Sequence, residues 1–159
     1  MSASLMARIH GLDEAITKGQ APPTMFERLG GEAPIRAVVT AFYSKVLADR
    51  EHNEFRDPFK RVSLEHHVEK QVDFLVSATG GDAERYPGGA KKIMLMHKMF
   101  AQKAMNTAGA NLWLKHMVAA LSETDEVPAG VKEPLLEFMN AEMAKYGEQF
   151  DFAFPRARL

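Results

Sequence analysis

The chain of 159 residues has no cysteine, one tryptophan and three tyrosines. Without thiols there can be no disulfide, no thiolate metal site, no iron–sulfur cluster and no cysteine nucleophile. No apolar run approaches the roughly 18–20 residues that span a bilayer. No positive stretch followed by a continuous apolar core opens the chain, so a secretory leader is not expected and a cytoplasmic location is the default. The formal net charge is -1, which leaves no basic excess to neutralise phosphates and argues against a nucleic-acid partner. H-E-x-x-H, Glu-x-x-His, the P-loop, G-x-G-x-x-G and a serine nucleophile elbow are all missing. Sustained period-two alternation, which a half-buried strand would need, is missing too.

What is present is helical periodicity punctuated by glycine and proline. Hydrophobic residues make up 46% and charged residues 26%, ordinary for one globular domain. Leu5, Ile9, Leu12 and Ile16 predict an amphipathic extension over 1–23, broken by Ala21-Pro22-Pro23. Thr24 and Glu27 form a capping-box pattern for a short helix that Gly30-Gly31 ends. Ile35, Val38, Val39, Phe42, Val46 and Leu47 make one buried face of a helix over about 33–49. Residues 50–62 read as short turns, and the charge-rich segments 49–61 and 123–133 as solvated surface. Ser63 caps a helix over 64–79 that Gly80-Gly81 stops. Further helices are expected from Ala90, over about 110–122 after a break at Thr107–Gly109, and over about 129–147. The tail, with Phe150, Phe152 and Phe154, is expected to pack locally. The fold class is all-α, with helices crossing in one compact domain.

Four polar side chains fall on or beside these apolar stripes: Tyr43, His67, Gln71 and His97. Each must find a partner or cost stability. Taken singly, each has an ordinary explanation: a core amide bonded to a carbonyl, a tyrosine tip at the surface, a satisfied core histidine. Taken together, on three helices, they suggest a polar guest in an apolar pocket, and the best candidate guest is haem. His97 shares a face with Ile93, Met96, Phe100 and Ala104, and neutral imidazole is the usual nitrogen ligand of haem iron. Its other ring nitrogen should then donate to a backbone carbonyl. Tyr43 and Gln71 can donate to a bound diatomic gas. With no C-x-x-C-H, the haem would be haem b, held non-covalently. The ten methionines suit a core wrapped around an irregular ligand. His66 and His116 fall off the stripes and are expected at the surface, as are His10 and His52.

The ordered set of motifs resembles a truncated haemoglobin, a compact globin with helices stacked two on two around haem. Phe26-Glu27-Arg28-Leu29-Gly30-Gly31 is similar to that family's first glycine motif, and the run from Val38 to Asp49 to its second helix, with the Phe-Tyr pair. Lys70-Gln71-Val72-Asp73-Phe74-Leu75 resembles the distal helix. Gly80-Gly81 and Tyr86-Pro87-Gly88 resemble the later glycine motifs. Met96-His97 with Phe100 resembles the proximal helix, and Trp113-Leu114-Lys115-His116-Met117 the next. The resemblance covers 24–147 and leaves out 1–23 and the tail 148–159. It departs in the spacing from His97 to Trp113, a few residues longer than is usual there, and in pairing Gln71 with Trp113, which mixes two subgroups.

The resemblance implies a haem protein that reversibly binds oxygen, nitric oxide or carbon monoxide. It makes His97 the iron ligand, with Tyr43, His67, Gln71 and Trp113 on the distal side and Phe59, Phe74, Met94, Met96, Phe100 and Met117 packing the haem. Phe55 is the alternative to Phe59. His67 is either a further donor or a sixth iron ligand. One alternative is a nitric-oxide dioxygenase or peroxidase-like enzyme on the same haem, served by an external reductase. Another is a haem-free helical interaction or sensor module.

Overall fold

The computed structural model describes residues 21–159, Phe100 by its backbone alone. The expected amphipathic segment with Leu5, Ile9, Leu12 and Ile16, and His10 with it, lies outside the described residues. The helices are α1 (Met25–Leu29), α2 (Glu32–Ala48), α3 (Asn53–Arg56), α4 (Leu64–Ala78), α5 (Gly89–Phe100), α6 (Thr107–Glu123) and α7 (Ala129–Phe150). Short 3-10 turns occupy Asp57–Arg61, Ala83–Arg85 and Gln102–Ala104. No strand occurs among the described residues. None of the described helices is long and apolar enough to cross a membrane.

α2 is the centre of the packing. It lies against α4 on one side and α6 on the other. Its stripe of Ile35, Val38, Val39, Phe42 and Val46 is at most 2% exposed. Val72 of α4 and Ala120 and Leu121 of α6 close on it with 0% exposure. Full burial of a Val, Leu or Ile side chain is worth about 1.5–3 kcal/mol, so this seam carries much of the stability.

The two ends of the α1–α4 contact explain a pair of glycine signals. Thr24 caps α1 and Glu27 reaches back to it, as the capping-box pattern predicts. The backbone N–H of Phe26 donates to the carbonyl of Thr79 at 2.9 Å, drawing the start of the fold onto the end of α4. Gly80 sits at φ +103°, and a Cβ there would lie 2.7 Å from the Cβ of Thr24. Both the left-handed backbone and the close approach demand glycine.

Three expectations need correction, the first being that 123–133 is not simply solvated surface, since Thr124, Val127 and Val131 are 4%, 1% and 7% exposed. Thr107–Gly109 is not a break but the first turn of α6, capped by Asn106, whose Oδ1 accepts from the N–H of Gly109 at 2.8 Å. Gly109 is there because a Cβ would stand 2.1 Å from the carbonyl oxygen of Ala104. Nor is 49–61 simply solvated surface. It contains α3 and a 3-10 turn, buries Phe55 at 7% exposure, and holds the Asp49 side chain at 8%. Glu54, Asp57, Lys60 and Arg61 are exposed as expected. After α7 the tail turns back, with Thr107 Oγ1 donating to the Ala153 carbonyl at 3.3 Å and Asn140 Nδ2 to the Ala157 carbonyl at 3.0 Å.

Candidate functional site

α2 and α4 bring three of the four polar side chains together. Tyr43 is 8% exposed, and its hydroxyl points to Gln71 Oε1 at 3.5 Å, long for a bond between oxygens. Burial raises the pKa of the Tyr43 phenol, so it stays protonated and remains a donor. The ring of His67 stacks on that of Tyr43, with centroids 5.1 Å apart and planes 14° apart. Its Nε2 donates to the carbonyl of Phe59 at 2.5 Å. Burial lowers the His67 pKa, the carbonyl opposes this, and neighbouring His66 adds to the lowering; the net direction is down. Phe59 packs on both rings, 6.0 Å from Tyr43 and 5.8 Å from His67. Phe55, the other phenylalanine considered, lies behind Phe59 at 5.4 Å. His66 is exposed, as its position on the helix predicts.

His97 comes from α5, on the other side. Its Nδ1 donates to the carbonyl of Ile93, one turn back, at 2.8 Å. That bond fixes the tautomer and leaves Nε2 with its lone pair free of any hydrogen bond among the described residues. Burial lowers the His97 pKa against the opposing effect of the carbonyl, so the ring is neutral near pH 7. The edge of the ring packs against Tyr146 of α7, with centroids 4.7 Å apart. Tyr146 is 5% exposed. Its pKa is raised by burial first, then by Glu142 and by the phenols of Tyr86 and Tyr43, so it lies within electrostatic range of the distal group. The sixteen residues from His97 to Trp113 are spent on the last turn of α5, the 3-10 turn and the Asn106 cap.

Beside Gln71 lies a narrow interior gap of about 20 Å³, bordered by α4, α6 and α7 and not by α5. Gln71, Phe74 and Leu75 border it from α4, Trp113 and Met117 from α6, and Phe138, Met139, Glu142 and Met143 from α7. Trp113 is half-buried and leans on Phe42 at 5.4 Å. Two expected packing residues stand elsewhere. Met96 is 42% exposed, and Met94 lines an outer groove with Ala90, Lys91, Leu95, Lys98 and Lys145. The side chain of Phe100 lies outside the described residues.

The architecture and the two-sided placement of histidine and tyrosine can be set against known proteins. The family model for bacterial-like globins matches residues 24–145. The chain belongs to the truncated haemoglobin family of bacterial-like globins. It is similar to the group 1 truncated haemoglobin of Tetrahymena thermophila, 46% identical over 76 residues, a match covering 48% of this chain and 58% of that one. The group 1 truncated haemoglobin of Tetrahymena pyriformis is 40% identical over 77 residues, with 48% and 59% covered. The matches thus span somewhat over half the length of these curated relatives. Among solved structures, the haemoglobin of the thermophilic phototrophic bacterium Chloroflexus aurantiacus superposes with a TM-score of 0.59 at 29% identity, covering 80% of this chain and 97% of that one. Globins of this family bind diatomic gases through haem.

The residues of this globin suit a haem chemically. A neutral imidazole has an unengaged Nε2, a protonated phenol from α2 meets an amide from α4, and the gap bordered by Gln71 and Trp113 is walled mainly by apolar side chains. Cofactor-sized ligands need roughly 300 Å³ or more. The gap is far smaller than that, and its wall is rich in methionine (Met117, Met139, Met143), the most adaptable of apolar side chains, which would let it accommodate such a group. Among the described residues no cluster of three or more His, Asp or Glu is arranged to hold a metal ion.

Two features of this globin escaped the sequence reading. His116, expected at the surface, is 8% exposed and donates from Nε2 to Asp49 Oδ2 at 2.9 Å. It is buried because α6 presents a second face to α2, built on the small residues Gly109 and Ala120, which add little to an apolar stripe. Asp49 also accepts from His52 Nδ1 at 2.9 Å and from the backbone N–H groups of Glu51 and His52 at 3.1 and 3.2 Å. Burial pushes the Asp49 carboxyl up, but the bonds from His116, His52 and Glu51 outweigh it and bring it down to about 2. The second feature is Tyr146. Its signal was present, since it continues the Leu135, Met139 and Met143 stripe by one more turn.

Proposed function

We propose that this globin binds oxygen reversibly at a non-covalently held haem b, with His97 as the iron ligand. The haem supplies the coordination position for the gas; the chain supplies the rest. The observation that carries the reading is the His97 bond to the Ile93 carbonyl, which fixes the tautomer and orients the ring. Tyr43 keeps its proton at the hydroxyl and offers it to the partial negative charge that a bound gas develops. Gln71 orients that hydroxyl and offers its own amide N–H groups. Trp113, at the edge of the same gap, offers an indole N–H. His67, its one N–H given to the Phe59 carbonyl, backs the Tyr43 ring on that side. Phe74 and Met117, 4% and 3% exposed, exclude water from the seam.

Ferric and ferrous absorption spectra of the purified, haem-supplemented protein test this. Expected are an intense Soret band, a ferrous form with an open sixth position, and a reversible spectral change on admitting and removing oxygen. A protein that stays colourless after haem supplementation overturns the reading and favours a haem-free helical module.

A further inference from the structure

The bonds around Asp49 lie outside the gap, yet the contacts that start from them end on Tyr43 and His67. Asp49 follows α2 six positions after Tyr43 and takes His116 Nε2 and His52 Nδ1 on one oxygen. The ring of His116 lies nearly parallel to Phe55, with centroids 6.2 Å apart and planes 18° apart. Phe55 meets Phe59, and Phe59 meets Tyr43 and His67. Among the described residues, the Phe59 carbonyl is the only atom of 53–61 that hydrogen-bonds to another element, and its partner is His67. The segment is therefore pinned by hydrogen bonds at two places, the Asp49 cluster at its start and His67 near its end, with Phe55 as the ring that ties it to α6.

We propose that Asp49 and His116 are positioning residues for the distal wall. They hold 50–62 in place so that Phe59, through its ring and its carbonyl, keeps His67 stacked on Tyr43. The pair touches neither gas nor haem. A carboxylate bonded to an imidazole at 8% and 11% side-chain exposure has two discrete states, made or broken, and little between. When it is made, the Tyr43 hydroxyl has one orientation. When it is broken, Phe55 and Phe59 lose their backing, and Tyr43 and His67 gain freedom. The effect on gas retention rests on the haem reading above; the effect on 50–62 does not.

The test separates the two. His116→Phe keeps a ring against Phe55 and removes the donor, whereas His116→Gln puts an amide N–H where Nε2 was. In the purified full chain without haem, His116→Phe is expected to speed amide hydrogen exchange across 50–62 by about tenfold and to shift the His67 ring resonances, leaving exchange in α7 unchanged. In the haem-loaded protein it is expected to raise the oxygen off-rate about threefold to tenfold and to shift the carbon monoxide stretching band, the response to a loosened hydrogen bond. His116→Gln should restore both to within about twofold of wild type. Should His116→Phe not accumulate as folded protein, His116→Met, apolar and close in size, makes the same cut. A variant with a lower melting temperature but wild-type exchange in 50–62 and unmoved His67 resonances overturns the proposal. So does faster exchange with an unchanged off-rate and band position. Wild-type protein that takes up no haem overturns the haem reading instead, and the exchange measurement then still decides whether the pair holds 50–62.

Discussion

α4 and α5 each turn a histidine inward, but they are held very differently. α4 buries Val68, Val72, Phe74, Leu75 and Val76, and its end is bonded to α1. Among the described side chains of α5 only Ile93 is buried, while Leu95, Met96 and Met99 are 55%, 42% and 61% exposed. The distal wall is thus part of the core, and its geometry is set when the domain folds. α5 rests on the core through Ile93 and the His97–Tyr146 contact and leaves most of its surface to solvent. The contrast suits a site that must admit a rigid macrocycle and then hold a small gas at a fixed angle. Adaptability belongs on the side that takes up the cofactor, and rigidity on the side that discriminates ligands.

The largest effect is expected at the lightly held side, where one atom does the binding. His97→Ala should lower haem retention by more than about a hundredfold, beyond the roughly 10–100-fold that losing an outer-shell partner costs. Added imidazole should recover part of the Soret absorbance, and an unchanged spectrum would remove His97 from the iron. In the core, Leu121→Ala should cost about 2–5 kcal/mol by denaturant unfolding, because Leu121 is 0% exposed and α2 cannot collapse into the hole. A smaller cost would mean that the α2–α6 seam is looser than its burial implies.

Asp49→Asn probes the acid behaviour of the rigid side. The carboxyl sits at about 2 in the fold against 3.8 ordinarily, so its bonds stabilise the folded state fully above about pH 4 and lose that contribution as pH falls through 2. The difference amounts to about 2 kcal/mol, and the variant should be less stable than wild type by that much at pH 7 and converge on it near pH 2. Parallel stability curves would show that the cluster is not the source. Tyr43→Phe should raise the oxygen off-rate about fivefold, the equivalent of one hydrogen bond of about 1 kcal/mol, as read by stopped flow. Met99→Ala, at the exposed face of α5, should change unfolding free energy by less than about 0.5 kcal/mol; a larger loss would mean that this face is covered in solution.

How much of this was legible in the sequence follows the same division. The α2 stripe could be read almost outright, since Ile35 to Val46 repeats with the helical period and is buried, Leu47 alone staying half-buried. The fold class and family followed from the order of such stripes and of the glycine pairs between them. The backbone partner of His97 was foreseen in kind, and the structure names it as Ile93. What could not be read depended on small residues and on distance along the chain. Gly109 looks like a breaker until the Ala104 carbonyl is placed beside it. His116 looks solvated because its neighbours on the buried face are alanine and glycine, and its partner Asp49 is 67 residues away. Hydrophobic periodicity records which face is greasy; it carries no record of a charge buried against a neighbour from another helix.

The openness of α5 reaches beyond ligand binding. Lys91, Lys92 and Lys98 all stand on its open surface. Three basic residues on the most solvent-facing helix of the core are natural cleavage points for a trypsin-like protease wherever that helix opens. A prosthetic group clasping His97 from within would clamp that helix shut, so survival in the cell would be granted to loaded molecules and withheld from empty ones.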